Sequence, residues 1–329
     1  MKSRRSFIKT VGKGAALSAF AASSSASFAS QILAPSPDLK HLRIGIIGAE
    51  NSHTIGFGRM FNTDKKFPSA EVKFVWGETD EFAKNAAEKG NIPHIVRDPK
   101  EMLGEIDALI VDHRHAKYHL PAATPFIKEG IPTFVDKPFC YRAAEGKAFL
   151  ELAREHGTPV TSYSSIAHSA STFDIKKQVE SMEKINQVVQ TGPVDMDSKY
   201  GGIFFYGVHI VQPLMYLFGE DVERVRVTRN GQHGSAILVY GNGLFVNLIF
   251  KKDAYGWETF VENEDGFIEL NSRVEESDPA LCYTAMVDMF RTGKEPRSHQ
   301  SMLNCVLVLE ALEKSVASQN WEKVANICI

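Results

Sequence analysis

The sequence predicts an α/β protein in which a doubly wound parallel sheet is followed by an α+β domain with a mainly antiparallel, open sheet. Two observations predict this order. From residue 42 to about residue 160, short apolar strands alternate with helical segments, which is the pattern of right-handed βαβ units. After residue 160 strands follow one another directly and are flanked by helices, which indicates a largely antiparallel sheet.

The composition is that of an ordinary globular protein with enough apolar residues for two cores. Of the 329 residues, 43% are hydrophobic and 23% are charged, and the net charge of −3 gives no indication of a nucleic-acid partner. The four cysteines are spread widely along the chain, so we expect buried thiols rather than a disulfide framework or a zinc site.

The first 30 residues have the features of a twin-arginine export signal. Arg4 and Arg5 precede a short apolar stretch and a run of small residues that suits a signal peptidase. The apolar stretch is too short for a stable membrane span. We therefore expect a periplasmic protein without a membrane anchor, with a linker over 31–41; the alternative is a basic tail that is not a signal.

Residues 42–160 are predicted to form the first domain. The predicted strands are 42–48, 71–77, 107–112, 132–138 and 159–164. The predicted helices between them are 79–89, 120–129 and 143–156.

Residues 161–329 are predicted to form the second domain. Its predicted strands are 223–230, 234–240, 243–252, 256–263 and 266–271. Its predicted helices are 172–183, 208–217, 279–290 and 298–318. The strands hold more apolar residues than burial of one face needs, so we expect a homodimer through this sheet; the alternative is a monomer whose helices cover both faces.

The turn after the first strand has the position of a dinucleotide-binding loop. Its candidate cofactor-binding residues are Gly48, Ala49, Glu50, Asn51, Ser52 and His53. Such a loop uses glycine where the backbone approaches a diphosphate at a helix N-terminus, but here Glu50 takes the second glycine's place. The alternative is a turn that binds no nucleotide. If a dinucleotide binds, we expect the Glu50 side chain to turn away, toward Arg114 or Lys117.

Two further segments carry candidate catalytic residues. Lys137, in Asp136-Lys137-Pro138, ends a predicted strand, and ligands of doubly wound sheets bind at the carboxyl ends of strands. A partly desolvated lysine there can donate to a substrate hydroxyl, although a solvated lysine at a strand end is also common. Tyr206 and His209 lie three apart at the start of a helix, and His209 is a candidate general base.

Several histidines fall close together in "DHRHAKYH", at 113, 115 and 119. They match no recognised metal-binding spacing, so we predict no metal site.

The order of these segments resembles the glucose–fructose oxidoreductase, inositol dehydrogenase and rhizopine catabolism family (Gfo/Idh/MocA). The likeness runs from about Leu42 to Val324 and rests on "HLPAATPFIKEGIPTFVDKP", on "GGIFFYGVH" and on the closing pattern "GKEP…EALEKS…W". It implies a Rossmann-like first domain and tightly bound NAD or NADP. By match to the family motifs, Lys137 is the active-site lysine, His209 is the catalytic histidine, and His119 is the histidine of the loop after the fourth strand.

The sequence also departs from the family pattern. Phe205 stands where the family commonly has a catalytic aspartate, and Gln212 stands where a second aspartate is expected. Tyr206 is therefore the candidate to orient His209. Glu78 or Asp80 is the candidate to bind the adenosine ribose. The resemblance also implies that Asp136 is a cofactor-binding residue.

The resemblance implies hydride transfer between NAD(P) and a hydroxyl of a sugar, cyclitol or glycoside. Two alternatives stay open from the sequence. One is an NAD-dependent enzyme that cleaves a glycoside through transient oxidation and elimination. The other is a carbohydrate-binding protein that has lost its cofactor, as the departures at Glu50, Phe205 and Gln212 would permit.

Overall fold

A computed structural model gives the fold, and it describes residues 39–252, 254–275 and 278–329. The predicted export signal and most of the predicted linker lie outside these ranges. The chain from Lys40 to Ile329 forms one compact unit that contains two sheets. Among the described residues, no helix is both long and apolar enough to cross a membrane.

The first sheet is parallel and has the strand order β3-β2-β1-β4-β5-β6. Reversal of the strand order beside β1 creates the crevice in which doubly wound sheets bind ligands. The strands are β1 Leu42–Ile47, β2 Ala70–Trp76, β3 His94–Ile95, β4 Ala108–Val111, β5 Thr133–Val135 and β6 Val160–Thr161. The helices are α1 Ser52–Gly58, which continues as a π-helix over Arg59–Thr63, then α2 Asp80–Gly90, α3 His119–Lys128 and α4 Ala143–Glu155.

The second sheet has the order β12-β11-β7-β10-β9-β8-β13. Its strands are β7 Gln187–Pro193, β8 Val222–Asn230, β9 His233–Tyr240, β10 Phe245–Lys251, β11 Glu258–Asn263, β12 Gly266–Glu269 and β13 Trp321–Lys323. Strands β7 and β10 pair in parallel and all other neighbours pair antiparallel. The helices are α5 Ala170–Glu180, α6 Phe204–Phe218, α7 Thr284–Thr292 and α8 His299–Ser318.

The predicted fold class is confirmed, and three strands were missed. No strand is predicted from the sequence over His94–Ile95, Gln187–Pro193 or Trp321–Lys323. Strand β7 matters most, because it lies inside the second sheet, between β11 and β10, and packs against α6. Helix α6 also begins at Phe204, before the predicted start, so Tyr206 lies within the helix.

The two faces of the second sheet differ in what covers them. Residues of β10 alternate, so that Val246, Leu248 and Phe250 are buried, whereas Phe245 is 37% exposed and Ile249 is 46% exposed. Phe267 on β12 is also exposed and stacks on Phe260. One face of the sheet therefore carries the core, and the other presents apolar side chains.

The cysteines are all free thiols, and three of them are buried, at positions 140, 282 and 305. Cys328 is exposed, which corrects the expectation that all four are buried.

Candidate active site

The turn between β1 and α1 is built around Gly48. Its φ of +112° lies in the region that favours glycine, and a Cβ added there would lie 2.6 Å from the carbonyl carbon of Asp112. This glycine is therefore required because the turn passes directly against the end of β4. It would be needed whether or not a nucleotide binds.

Asn51 and Thr54 connect this turn to a fully buried carboxyl group, Asp112. Asn51 Nδ2 donates to Asp112 Oδ1 over 2.7 Å. Thr54 Oγ1 lies 2.6 Å from Asp112 Oδ2 and 2.7 Å from the carbonyl oxygen of Gly48. One hydroxyl has one proton, so it cannot donate fully to both oxygens.

The proton count is satisfied if Asp112 is protonated, donates to Thr54 Oγ1, and Thr54 in turn donates to Gly48. Burial and the neighbouring Asp136 raise the pKa of Asp112 well above its ordinary value, in agreement with this arrangement. Asp112 is therefore a structural group that fixes the turn to the sheet.

Asp136 at the end of β5 is the charged partner in the same cluster. It is 2% exposed. Its Oδ2 lies 3.2 Å from His53 Nδ1, 3.4 Å from Lys137 Nζ, and 3.3 Å from the Asn51 amide nitrogen. Burial alone would raise the pKa of Asp136, but the charges of Lys137 and His53 outweigh it and lower that pKa. Lys137, itself 6% exposed, is thus held as a buried ammonium beside an ionised carboxylate.

His53, Asp112 and Asp136 place one ligand-type atom each within 4.8 Å of one another. This spacing suits a cation, a possibility that the histidine spacing in the sequence did not suggest. A cation there would have to compete with the ammonium of Lys137 for Asp136. The present hydrogen bonds account for both carboxyl groups without one.

Glu78, two residues beyond β2, occupies the backbone donors of the turn. Its Oε2 accepts from the N–H groups of Ala49 and Glu50, each over 2.9 Å. Its Oε1 is buried and has no hydrogen-bond partner within the described part of the chain. A buried acceptor without a donor is unfavourable, and in doubly wound dinucleotide-binding folds an acidic residue beyond the second strand accepts from ribose hydroxyls. The residues present therefore fit the adenosine ribose of NAD. Asp80, the other candidate, is exposed in the first turn of α2.

Glu50 points away from the turn, toward the second half of the chain. Its Oε1 accepts from the hydroxyl of Tyr200 over 2.5 Å, and Arg114 Nη1 donates to the same hydroxyl over 3.2 Å. The side chain thus turns away as expected, but its partner is Tyr200 rather than Arg114 or Lys117.

On helix α6, His209 pairs with a residue that sequence reasoning missed. His209 Nδ1 lies 2.7 Å from Ser164 Oγ, just beyond β6, and Gln212 Oε1 accepts from the Ser164 N–H over 2.7 Å. Burial and the charge of Lys137 lower the pKa of His209 well below its ordinary value, so the imidazole is neutral at pH 7. Ser164 ends a predicted strand, and the rule that singled out Lys137 would have found it.

Tyr206 does not orient His209, which corrects the sequence-based assignment. Its hydroxyl lies 3.4 Å from that of Tyr255, and its ring centroid lies 5.7 Å from that of His209. Its contact with the imidazole is therefore between rings. Phe205 presents its ring to Lys137, whose Nζ lies 5.7 Å from the centroid.

His119 connects two loops behind the candidate site. It is fully buried, and its two ring nitrogens face the carbonyl oxygens of Pro138 and His113 at 3.0 and 2.8 Å. Burial lowers the pKa of His119, so its single N–H donates to one of these carbonyls at a time. It ties the loop after β4 to the loop after β5, and it supports the site from behind. Ser52, in contrast, is exposed at the start of α1.

The chain resembles solved dehydrogenase structures over most of its length. Apo scyllo-inositol dehydrogenase from Lactobacillus casei is 14% identical, with a TM-score of 0.72 over 88% of this chain and 99% of that chain. Myo-inositol dehydrogenase from the same organism, in complex with NAD(H) and myo-inositol, is 14% identical, with a TM-score of 0.73 over 88% of this chain and 98% of that one. GenD2 from gentamicin A biosynthesis, in complex with NAD, is 14% identical, with a TM-score of 0.74 over 87% of this chain and 97% of that chain.

No curated protein shows a significant sequence match to this chain. At these identities the structural likeness concerns the fold. Residues 42–164, however, match the family model GFO_IDH_MocA, described as an oxidoreductase family with an NAD-binding Rossmann fold. Residues 42–164 are therefore similar to the NAD-binding Rossmann domain of this oxidoreductase family.

Proposed function

We propose that this protein uses NAD to oxidise or reduce a hydroxyl-bearing carbon of a sugar, cyclitol or glycoside. One observation carries the proposal: a buried ammonium and a neutral imidazole lie close together at the carboxyl ends of the NAD-binding sheet. The charge of Lys137 contributes to the lowered pKa of His209, and Phe205 contacts Lys137 one helical turn before His209. A charged donor beside a neutral base suits removal of a proton from an alcohol.

The chain's own residues divide this task. Lys137, held by Asp136 over 3.4 Å, donates a hydrogen bond to the oxygen of the reacting hydroxyl and stabilises negative charge on it. His209 accepts the hydroxyl proton at Nε2 in the tautomer whose Nδ1–H donates to Ser164 Oγ. When bound, NAD would supply the hydride acceptor. The buried side chains of Lys137 and His209 limit the access of water to the reacting atoms.

Glu78 supports NAD rather than NADP as the cofactor. Its unpartnered buried oxygen suits a ribose hydroxyl, whereas a 2′-phosphate would bring negative charge to the same carboxylate. The match of residues 42–164 to an NAD-binding oxidoreductase model counts against the alternative that the chain has lost its cofactor.

The test begins with nucleotide released by denaturing the purified protein, identified by absorbance and mass. We expect NAD. The protein is then loaded with NAD and given myo-inositol, D-glucose and methyl β-D-glucoside. Accumulation of NADH supports the proposal. Cleavage of the glycoside without net NADH would instead support the elimination cycle, and absence of both nucleotide and NAD binding would overturn the oxidoreductase assignment.

Localisation and assembly are also proposals. The sequence of residues 1–30 supports export to the periplasm by the twin-arginine pathway. The exposed Phe245, Ile249 and Phe267 on one face of the second sheet support a homodimer through that face. Ile249→Asp should convert the dimer to a monomer in light scattering, whereas a wild-type protein that is monomeric at all concentrations would contradict the proposed interface.

A further inference from the structure

Arg114, in the loop after β4, contacts two aromatic rings close to the start of helix α6. Its guanidinium carbon lies 4.4 Å from the centroid of the Tyr200 ring and 5.4 Å from that of the Phe205 ring. The same Phe205 ring lies 5.7 Å from Lys137 Nζ. One ring therefore contacts two positive charges, of which Lys137 is the candidate donor to the reacting oxygen.

The guanidinium of Arg114 has an unused donor. Among the described residues its side chain forms no ion pair, and its one hydrogen bond runs from Nη1 to the Tyr200 hydroxyl over 3.2 Å. Its Nε is buried, whereas Nη2 has no hydrogen-bond partner in the described chain and is not buried. Arg114 and Phe205 are both partly exposed, so Nη2 is open to a ligand that packs on the Phe205 ring beside Lys137.

The acidic residues closest to this surface are engaged elsewhere. Asp195 and Asp197, on the segment that leads to Tyr200, pair with other cations over 3.1 and 2.6 Å. Glu50 accepts from the Tyr200 hydroxyl, so this hydroxyl separates its charge from the guanidinium of Arg114. The first turn of α6 contains no acidic residue.

The two cations on the Phe205 ring therefore differ in compensation. Lys137 has Asp136 as its partner over 3.4 Å, whereas Arg114 has no carboxylate partner among the described residues. A neutral ligand that covers the guanidinium would remove water from a charge without replacing it by an opposite one, which is unfavourable. An anionic ligand would supply the missing counter-charge.

From these contacts we infer that Arg114 binds a carboxylate of the substrate, so that the preferred substrate is a polyhydroxy acid, such as a uronic acid or its glycoside. The planar guanidinium offers donors whose geometry matches the two oxygens of a carboxylate. Its single positive charge balances a carboxylate, whereas a phosphate dianion would keep an uncompensated charge.

This inference rests on the proposed function for the hydroxyl at Lys137, and it adds the charge of the substrate. Because Arg114 and Lys137 contact the same ring, one sugar-sized molecule can place a hydroxyl at the lysine and a carboxylate at the arginine. Arg114 would then determine specificity without taking part in proton or hydride transfer. Its effect can be measured as a binding preference, without turnover.

The experiment measures binding of three matched ligands to the full chain by calorimetry, with and without added NAD. They are methyl β-D-glucuronide, the methyl ester of the same uronide, and methyl β-D-glucoside. The ester removes the negative charge and keeps most of the shape. We expect the uronide to bind at least about tenfold more tightly than either neutral ligand, which is the effect of one hydrogen bond between charged groups. D-Glucuronate should also bind more tightly than D-glucose 6-phosphate.

Arg114→Gln keeps a hydrogen-bonding side chain and removes the charge. It should abolish the preference for the uronide over its ester and change the affinity for the glucoside by less than about twofold. A purely structural role would weaken all three ligands alike. Lys117→Gln, which removes the same charge from an exposed residue of the same loop, is the matched control and should keep the preference. If Arg114→Gln does not fold, Phe205→Asp is the second route, because an aspartate there would pair with Arg114 and abolish the preference.

The outcomes separate this inference from the proposed function. Failure of the uronide to bind, equal affinity of the wild-type protein for the uronide and its ester, or an unchanged preference in Arg114→Gln would overturn the inference. Tighter binding of D-glucose 6-phosphate than of D-glucuronate would also overturn it. An Arg114-dependent preference for the uronide in a protein that forms no NADH would retain the inference and reject the proposed function. Formation of NADH from neutral sugars without any preference for the uronide would do the reverse.

Discussion

The two sides of the candidate active site differ in what surrounds their reacting groups. On the side of the first sheet, Asn51, Thr54, Asp112 and Asp136 form a buried network of hydrogen bonds and an ion pair with Lys137. On the side of helix α6, the aromatic rings of Tyr206 and Trp257 lie around His209.

This difference indicates which side is fixed in advance. A hydrogen-bonded buried network resists rearrangement, because breaking any bond leaves an unsatisfied polar group. The first-sheet side therefore provides a fixed platform, in which Glu78 Oε1 is one of the buried atoms without a partner among the described residues. The α6 side provides aromatic surfaces, from which discrimination among substrates can arise.

The largest expected effect is at the junction of the two sides. Lys137→Ala should lower kcat by about a thousandfold, because the mutant lacks the charged donor at the reacting oxygen and leaves Asp136 without its ammonium partner. Steady-state kinetics with NAD and the preferred substrate measure this loss. Lys128→Ala, at the exposed end of α3, is the control, and full turnover in Lys137→Ala would remove the lysine from the mechanism.

The second-largest expected effect concerns Glu78 on the first-sheet side and the preference for NAD over NADP. Wild-type protein should bind NAD about a hundredfold more tightly than NADP, because a carboxylate about 5 Å from a phosphate is repelled by about 3 kcal/mol at an effective dielectric near 20. Glu78→Gln should lose most of this preference. Calorimetric titration with NAD and NADP measures this preference, and Glu81→Gln, which changes an exposed residue, is the control. Equal affinity of the wild-type protein for the two nucleotides would be inconsistent with the assignment of Glu78.

An intermediate effect concerns the contact between the two sides. Glu50→Gly should tighten NAD binding by about tenfold, because it removes a negative charge close to the dinucleotide turn. Tyr200→Phe should act in the opposite direction, because Glu50 loses the hydroxyl that holds it away from the turn. Fluorescence titration with NADH measures both affinities. Weaker binding by Glu50→Gly would show that Glu50 itself contacts the cofactor.

The smallest effect tests the chemical state of the α6 side. Because the pKa of His209 is lowered in the folded protein, the ring stays neutral and able to accept a proton as the pH falls below about 6.5, where an ordinary histidine becomes protonated. The value of kcat should therefore change by less than about twofold between pH 7.5 and 6. A loss of activity with an apparent pKa at or above about 6.5 would mean that His209 is not the base.

The sequence was sufficient for the fold because the alternation of apolar and polar residues reports burial directly. It predicted the parallel sheet, the second sheet and most helices, but it missed β7, whose polar Gln190, Thr191 and Gln187 interrupt the expected pattern. The same polar residue, Gln190, lines a cavity between α5, α6, β7 and β11. Strand β7 was therefore missed because a hydrogen-bonding side chain stands where the pattern calls for a core residue.

The candidate site was only partly predictable for a different reason. Lys137 was found because it follows a predicted strand, and His209 because it lies just after a Gly-Gly turn at the predicted start of a helix. Ser164 also ends a predicted strand, so the same rule could have found it. Tyr200 was missed because its partner, Glu50, is distant in the chain, and no local pattern records such a pairing. The orienting role assigned to Tyr206 was wrong because proximity along a helix does not determine which atom faces the imidazole.

The hydrogen bond between Glu50 and Tyr200 has a thermodynamic consequence. Glu50 belongs to the turn of the NAD-binding domain, and Tyr200 lies four residues before the helix that carries His209. Nucleotide binding at the turn and substrate binding beside that helix are coupled if the nucleotide changes the strength of this bond. Linkage then requires reciprocity: whatever factor the nucleotide applies to substrate affinity, the substrate must apply to nucleotide affinity.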